Sequence, residues 1–178
     1  MEDVTIVQPP AQRSRRRFIT GVVAAGAAAA AGDALSGGSP ALAQSPGIRS
    51  FDHVALPMQN TEAMLAFYRA LGLQVNEGAQ ACSVHFGNQM INFHRPALWQ
   101  SERFTLRAPG ANPPCGDLCF VWDGTLEALR ATLDRAKATV IEGPVKRQGG
   151  RDGGKNTTAS SVYVRDPDGN LLEFMIYS

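Results

Sequence analysis

From Phe51 onward the chain reads strand, helix, three strands, and then reads so a second time. The first copy opens with the apolar run His53-Val-Ala-Leu. Asn60-Thr-Glu62 then caps a helix over Glu62–Leu71, with Met64, Phe67, Tyr68 and Leu71 at helical spacing and Gly72 as its stop. Leu73–Val75, Ala81–Phe86 and Gln89–Phe93 read as short strands, the last two joined at Gly87-Asn88 as a hairpin. The second copy starts at Asp117-Leu-Cys-Phe-Val-Trp122 and continues with a helix over Leu126–Ala138 that presents Leu126, Leu129 and Leu133 behind a Thr125 cap. Thr139–Ile141, Ser160–Arg165 and Asn170–Ile176 complete it. Self-similarity on this scale marks a duplicated supersecondary unit. The expectation is an α+β domain in which two βαβββ modules pair into an open, cupped, eight-stranded half-barrel with the helices outside. Module one spans 49–95, a connection 96–115, and module two 116–178.

Two polar residues interrupt otherwise apolar strands. Glu173 stands among Leu171, Leu172, Phe174 and Ile176, after the turn Asp166-Pro-Asp-Gly169. A carboxylate there must reach solvent, pair with a cation or bind a metal, because burying it alone is too costly. His53 interrupts the first strand in a similar way. An imidazole and a carboxylate placed alike on two strands are what a divalent metal site needs. The bland alternative for His53 is a histidine satisfied at a strand edge, and for Glu173 a carboxylate that points to solvent or pairs with a cation.

The first forty-odd residues read as an address. Arg15-Arg16-Arg17-Phe18 precedes a mildly apolar, alanine-rich run from Gly21 to Gly32, and Ala41-Leu42-Ala43 forms an A-x-A cleavage site. The run falls short of the ~20 residues a membrane span needs. This segment, 1–43, resembles a twin-arginine signal peptide, which implies export of a folded protein to the periplasm and leaves residues 44–178 as a single domain with no membrane span. Of 17 basic and 16 acidic residues, four and three leave with the segment, so the remainder is formally neutral. Neutrality argues against a nucleic-acid partner or an anionic membrane surface. Cys82, Cys115 and Cys119 are an odd number without metal-knuckle spacing, read as structural or surface thiols.

Five motifs in order, Phe51-Asp-His53-Val, Phe67-Tyr68 with Leu71-Gly72-Leu73, Phe86-Gly-Asn-Gln-Met-Ile-Asn-Phe-His94, Glu142-Gly-Pro144 and the Asp166–Glu173 hairpin, resemble the vicinal oxygen chelate superfamily of glyoxalases, extradiol dioxygenases and bleomycin-resistance proteins. The resemblance covers Gly47–Tyr177. It implies a divalent metal (Zn, Mn, Fe(II) or Ni) held by the first and last strands of each copy. Carried over, His53 takes one first-strand position, Asp117 the other in place of the more usual His, and Glu173 one last-strand position, where it also moves a proton. Aligning Leu172-Glu173-Phe174 on Ile91-Asn92-Phe93 puts Asn92 at the fourth position. His94 lies two residues on, on the same strand face, and as an imidazole is the better ligand for a transition metal. His85 reads as out of phase with that strand and structural.

The resemblance implies a metal-dependent enzyme, lyase or dioxygenase-like, that chelates adjacent oxygens of a small substrate. The second reading is a metal-free protein of the bleomycin-resistance type that sequesters a small molecule, commonly as a homodimer. A third is a periplasmic interaction domain. The Gly-rich segment Lys146–Lys155 reads either as a mobile cationic lid or as a solvated loop. The long connection 95–114, with Trp99 and Phe104, reads as a pocket wall or a dimer contact.

Overall fold

The structure, a computed structural model, describes residues 47–155 and 157–177. The expected signal segment, 1–43, lies outside the described residues. No helix among the described residues is long and apolar enough to cross a membrane.

The duplication is real at the level of topology. Module one runs β1 (His53–Pro57), α1 (Thr61–Ala70), β2 (Gln74–Glu77), β3 (Ala81–Phe86) and β4 (Gln89–His94). A helical turn, α2 (Pro96–Trp99), opens the connection. Module two runs β5 (Asp117–Val121), α3 (Leu126–Arg135), β6 (Glu142–Gln148), β7 (Thr158–Arg165) and β8 (Leu171–Ile176). Each module makes its own four-stranded sheet, in the orders β1-β4-β3-β2 and β5-β8-β7-β6. In both, the first strand lies parallel to the last, and the remaining pairs are antiparallel. The two sheets do not close into a barrel.

Alternation along the strands gives each sheet one apolar and one polar face. Val84, Ile91 and Phe93 of the first sheet and Val162, Val164, Leu172 and Phe174 of the second belong to one buried cluster, together with Met64, Tyr68, Leu129 and Leu133 from the helices. Phe86 on β3 meets Phe120 on β5 edge to face, with ring centroids 5.2 Å apart. The apolar faces of the two sheets and their helices therefore share a core, and the polar face of each sheet is turned away from it.

One strand departs from the expected boundaries. Thr139–Ile141 is irregular, and β6 instead runs through Glu142–Gln148. The Gly143-Pro144 pair is absorbed as a bulge between Glu142 and Val145. Proline is tolerated there because β6 is an edge strand, where a missing N–H costs no ladder bond. Gly143 has φ +118, and a Cβ on it would stand 2.5 Å from the Ser161 carbonyl oxygen, so only glycine fits. The first three of the ten residues of the Gly-rich segment, Lys146, Arg147 and Gln148, are consequently strand. Beyond it a short 3-10 turn covers Arg151–Gly154, and the Arg151 guanidinium lies 4.0 Å from the centroid of the Tyr177 ring.

Candidate functional site

The polar face of the first sheet carries His53, Ala55 and Pro57 on β1, Met90, Asn92 and His94 on β4, and Ser83 and His85 on β3. The ladder fixes their levels: His53 pairs with Met90, Ala55 with Asn92, and Pro57 with His94. His53 and His94 are thus four residues apart along the ladder, roughly 13 Å at the usual strand rise. They stand at opposite ends of the face, too far apart for two imidazoles rising from one sheet to share an ion. His85 pairs with Met90, so it lies on the same face as Asn92 and His94, in phase with them. Its Nε2 meets Ser83 Oγ at 2.8 Å and Asn76 Nδ2 at 3.1 Å.

His53 is held from behind. Its Nδ1 lies 2.6 Å from Asp52 Oδ1, and the imidazole is about half exposed. A carboxylate on one ring nitrogen fixes the tautomer and leaves the other nitrogen for a ligand, the arrangement that commonly supports a histidine bound to a metal. Asp52 immediately precedes His53, and no spacing in the sequence singles it out as the partner of the imidazole.

On the second sheet the ladder pairs Asp117 with Leu171, Cys119 with Glu173, and Glu173 in turn with Tyr163. Asp117 precedes the Glu173 level by two residues, the same offset that separates His53 from Asn92. In geometry, Asn92 is therefore the counterpart of Glu173, and His94 is not. Glu173 Oε1 is buried and has no hydrogen-bond partner. Its neighbours feel the charge: burial first and Glu173 second push the Cys119 thiol up to about 12 and raise the Tyr163 phenol. Beyond Tyr163, the Arg147 guanidinium lies 5.7 Å from its ring centroid and donates to Glu142 Oε1 at 2.8 Å. A thiol, a carboxylate, a phenol and a guanidinium thus form one row across the four paired strands β5, β8, β7 and β6.

The structure does not bring His53, His94, Asp117 and Glu173 together within one chain. Among the described residues, no three His, Cys, Asp or Glu side chains come together as metal donors. His53 projects from one polar face and Asp117 and Glu173 from the other, with the common core between them. Yet each half is in the state expected of an incomplete donor set: a histidine oriented through Nδ1 and a carboxylate oxygen buried without a partner.

A separate groove of about 370 Å³ lies where the connection folds over the β1–β4 end of the first sheet, lined by Ala55, Pro57, His94, Trp99, Leu106 and Arg107 among others. Trp99 is fixed there by donating its indole N–H to the Met58 carbonyl at 2.9 Å. The connection is thus a pocket wall.

Residues 50–174 match the sequence profile of the Glyoxalase/Bleomycin resistance protein/Dioxygenase superfamily, and the chain belongs to that family. It is 34% identical over 131 residues to glyoxalase domain-containing protein RDO1 of Mycosarcoma maydis, covering 73% of this chain and 69% of that one. It is 31% identical over 132 residues to virulence protein STM3117 of Salmonella typhimurium, covering 73% and 85%. Among solved structures, an integron cassette protein of V. cholerae superposes with a TM-score of 0.63 at 32% identity, covering 76% of this chain and all of that one. A lactoylglutathione lyase from Agrobacterium tumefaciens, at 21% identity and a TM-score of 0.53, shares the fold.

Proposed function

We propose that this chain is an exported enzyme acting on a small oxygenated molecule, with its site assembled between two copies. His53 and Asp52 of one copy would face Asp117, Glu173 and Tyr163 of the other. The observation that carries this reading is Glu173 Oε1, a carboxylate oxygen buried without a partner. Such a group is costly to leave alone and calls for a proton, a cation or a ligand donor. Within the chain only the Cys119 thiol and the Tyr163 phenol stand beside this carboxylate, and because the two polar faces turn away from one another, a cation or metal co-ligand for it has to come from outside the chain. Phe51, just before β1, and Val121, at the end of β5, are both more than half exposed, and a second copy would cover such borders.

In that assembly Glu173 removes a proton from a carbon or hydroxyl next to a carbonyl oxygen, and Tyr163 donates a hydrogen bond to that oxygen. His53, set by Asp52, presents its free ring nitrogen to the same substrate. A divalent ion, held by His53 of one copy and by Asp117 and Glu173 of the other, would supply Lewis acidity. The second reading is metal-free sequestration, and Asn92 favours it. At the position equivalent to Glu173, the first sheet offers a neutral amide that neither takes up a proton nor binds a transition metal well.

The deciding experiment mixes two variants. His53→Ala and Glu173→Ala each lose bound divalent metal and substrate turnover. Exchange of subunits between them pairs an intact His53 with an intact Glu173 at one site per dimer, because a two-fold interface uses the same patch on both subunits. Metal content and turnover should return in the mixture. If both variants are monomeric by light scattering, or the mixture recovers nothing, the shared site is refuted. Undiminished ligand binding by both variants would instead select the sequestering reading.

A further inference from the structure

His94 is only 8% exposed, no hydrogen bond joins its ring to any described residue, and it lines the groove beneath the connection. Its ring nitrogens have no protein partner and open to the groove, where water or a ligand completes their hydrogen bonds. Its ring is held edge-on by Phe104 at a centroid distance of 5.1 Å, so it cannot easily swing away. Burial keeps it toward the neutral form, in which one ring nitrogen donates and the other accepts. The other polar side chain in the lining is Arg107. One of its N–H groups donates to the Ala111 carbonyl at 3.1 Å, and no carboxylate pairs with it among the described residues. The rest of the lining is alanine, proline, leucine and the Trp99 indole.

We infer that this groove is a binding site for a small carboxylate with an apolar or aromatic body. The carboxylate bridges the Arg107 guanidinium and the His94 ring N–H, and the body lies against Trp99, Leu106 and Pro57. The charges match: a planar guanidinium with free donors takes a carboxylate in preference to a neutral oxygen. The size also matches, since about 370 Å³ accommodates a single-ring molecule. The chemistry differs from that of the Glu173 row, which carries a buried carboxylate of its own and repels an anion. All the groove residues come from one chain, so the carboxylate is recognised without a residue from a second copy.

The test is calorimetric titration of the full chain with sodium benzoate, with benzyl alcohol as the uncharged counterpart and sodium chloride as a salt control. Benzoate should bind saturably, with benzyl alcohol, Arg107→Gln and His94→Phe each weakening binding by about tenfold or more. The indole emission of Trp99 should change on binding, and this change should vanish in Trp99→Phe while Trp122 remains. His53→Ala and Glu173→Gln should bind benzoate like the unaltered protein, which separates this site from the one proposed between copies. His94→Asn serves if His94→Phe fails to fold. The inference is overturned if benzoate gives no saturable heat, if it binds equally well to the Arg107 and His94 variants, or if His53→Ala abolishes it.

Discussion

Asp168, in the turn before β8, accepts the backbone N–H of Asn60 at 2.8 Å and the Asn60 side-chain amide at 2.9 Å, both through Oδ1. Its other oxygen takes the N–H of Gln59 at 2.6 Å. The residues that introduce α1 in module one are thus satisfied by a carboxylate from module two, 108 positions away. Asn60 was expected to cap α1 with its own side chain, but no such bond forms. Asp168→Ala removes three acceptor contacts and leaves these donors to water. A loss of about 2 kcal/mol is expected, as for bonds to a charged group at a half-buried site, read from the urea midpoint at constant slope.

Tyr68 ties the same turn to the core. Its hydroxyl donates to Asp166 Oδ2 at 3.0 Å, and Asn170 donates to both oxygens of that carboxylate. Burial raises the Asp166 carboxyl despite these donors, and raises the Tyr68 phenol well above its ordinary value. Tyr68→Phe keeps the ring packed on Phe93 but removes one donor. It should cost about 2 kcal/mol. A raised carboxyl favours the folded state below the ordinary aspartate value and loses that contribution as pH rises through the folded value. Losing the Tyr68 donor raises the carboxyl further, so the penalty of Tyr68→Phe should be smaller at pH 4 than at pH 7. Equal penalties at both would mean that Asp166 is ionised throughout.

How much of this was legible in the residues differs between fold and site. The duplicated βαβββ order, the Ala81–Phe86 strand and the turn at Asp166–Gly169 follow from periodicity and turn chemistry, and the structure has them. Strand register was less accessible. His85 read as out of phase, yet the two-residue Gly87-Asn88 loop pairs Phe86 with Gln89, and so His85 with Met90. The signal was present, since a two-residue hairpin fixes register. What periodicity could not supply is which sheet faces meet. Alternation tells that His53 and Glu173 avoid the core, but the packing of Phe86 on Phe120 is what turns their two faces apart. Arg107 and Trp99 were unreadable as a site because the connection has no repeating pattern to place them.

Gly143 offers a test of packing alone. With φ +118, and with a would-be Cβ at 2.5 Å from the Ser161 oxygen and 2.8 Å from Val162 Cα, the obstruction is backbone that cannot step aside. Gly143→Ala should destabilise by more than about 3 kcal/mol or prevent folding. Gly150 has open space around it and an ordinary φ, and Gly150→Ala should be close to neutral. Thermal melts of the two variants side by side would show whether β6 needs its bulge.

His94 gives a pH dependence with a definite sign. Burial holds its imidazole below the ordinary histidine value, and Arg107 lines the same groove. The folded state therefore binds the proton less readily than the unfolded chain. Its contribution is complete above the ordinary histidine value and is lost as pH falls through the lower folded value. Urea midpoints should drop between pH 7 and pH 5, and His94→Phe should flatten that drop. An unchanged slope in the variant would assign the acid sensitivity to other groups.

Cys119 reports on Glu173 without reference to any substrate. The thiol is raised to about 12, by burial first and then by the carboxylate beside it, with Asp117 adding a smaller push. Since the thiolate is the nucleophile, Cys119 should alkylate very slowly with iodoacetamide at pH 8 although the residue is exposed. Glu173→Gln removes the nearest negative charge while keeping the side chain's size, so the thiol should ionise more readily and alkylate several-fold faster, each pKa unit being worth tenfold in thiolate. Cys115, raised by burial alone, should keep its rate, and buried Cys82 should stay unlabelled. Peptide mass spectrometry resolves the three sites. An unaltered Cys119 rate in Glu173→Gln would assign the raised thiol to burial and not to the carboxylate beside it.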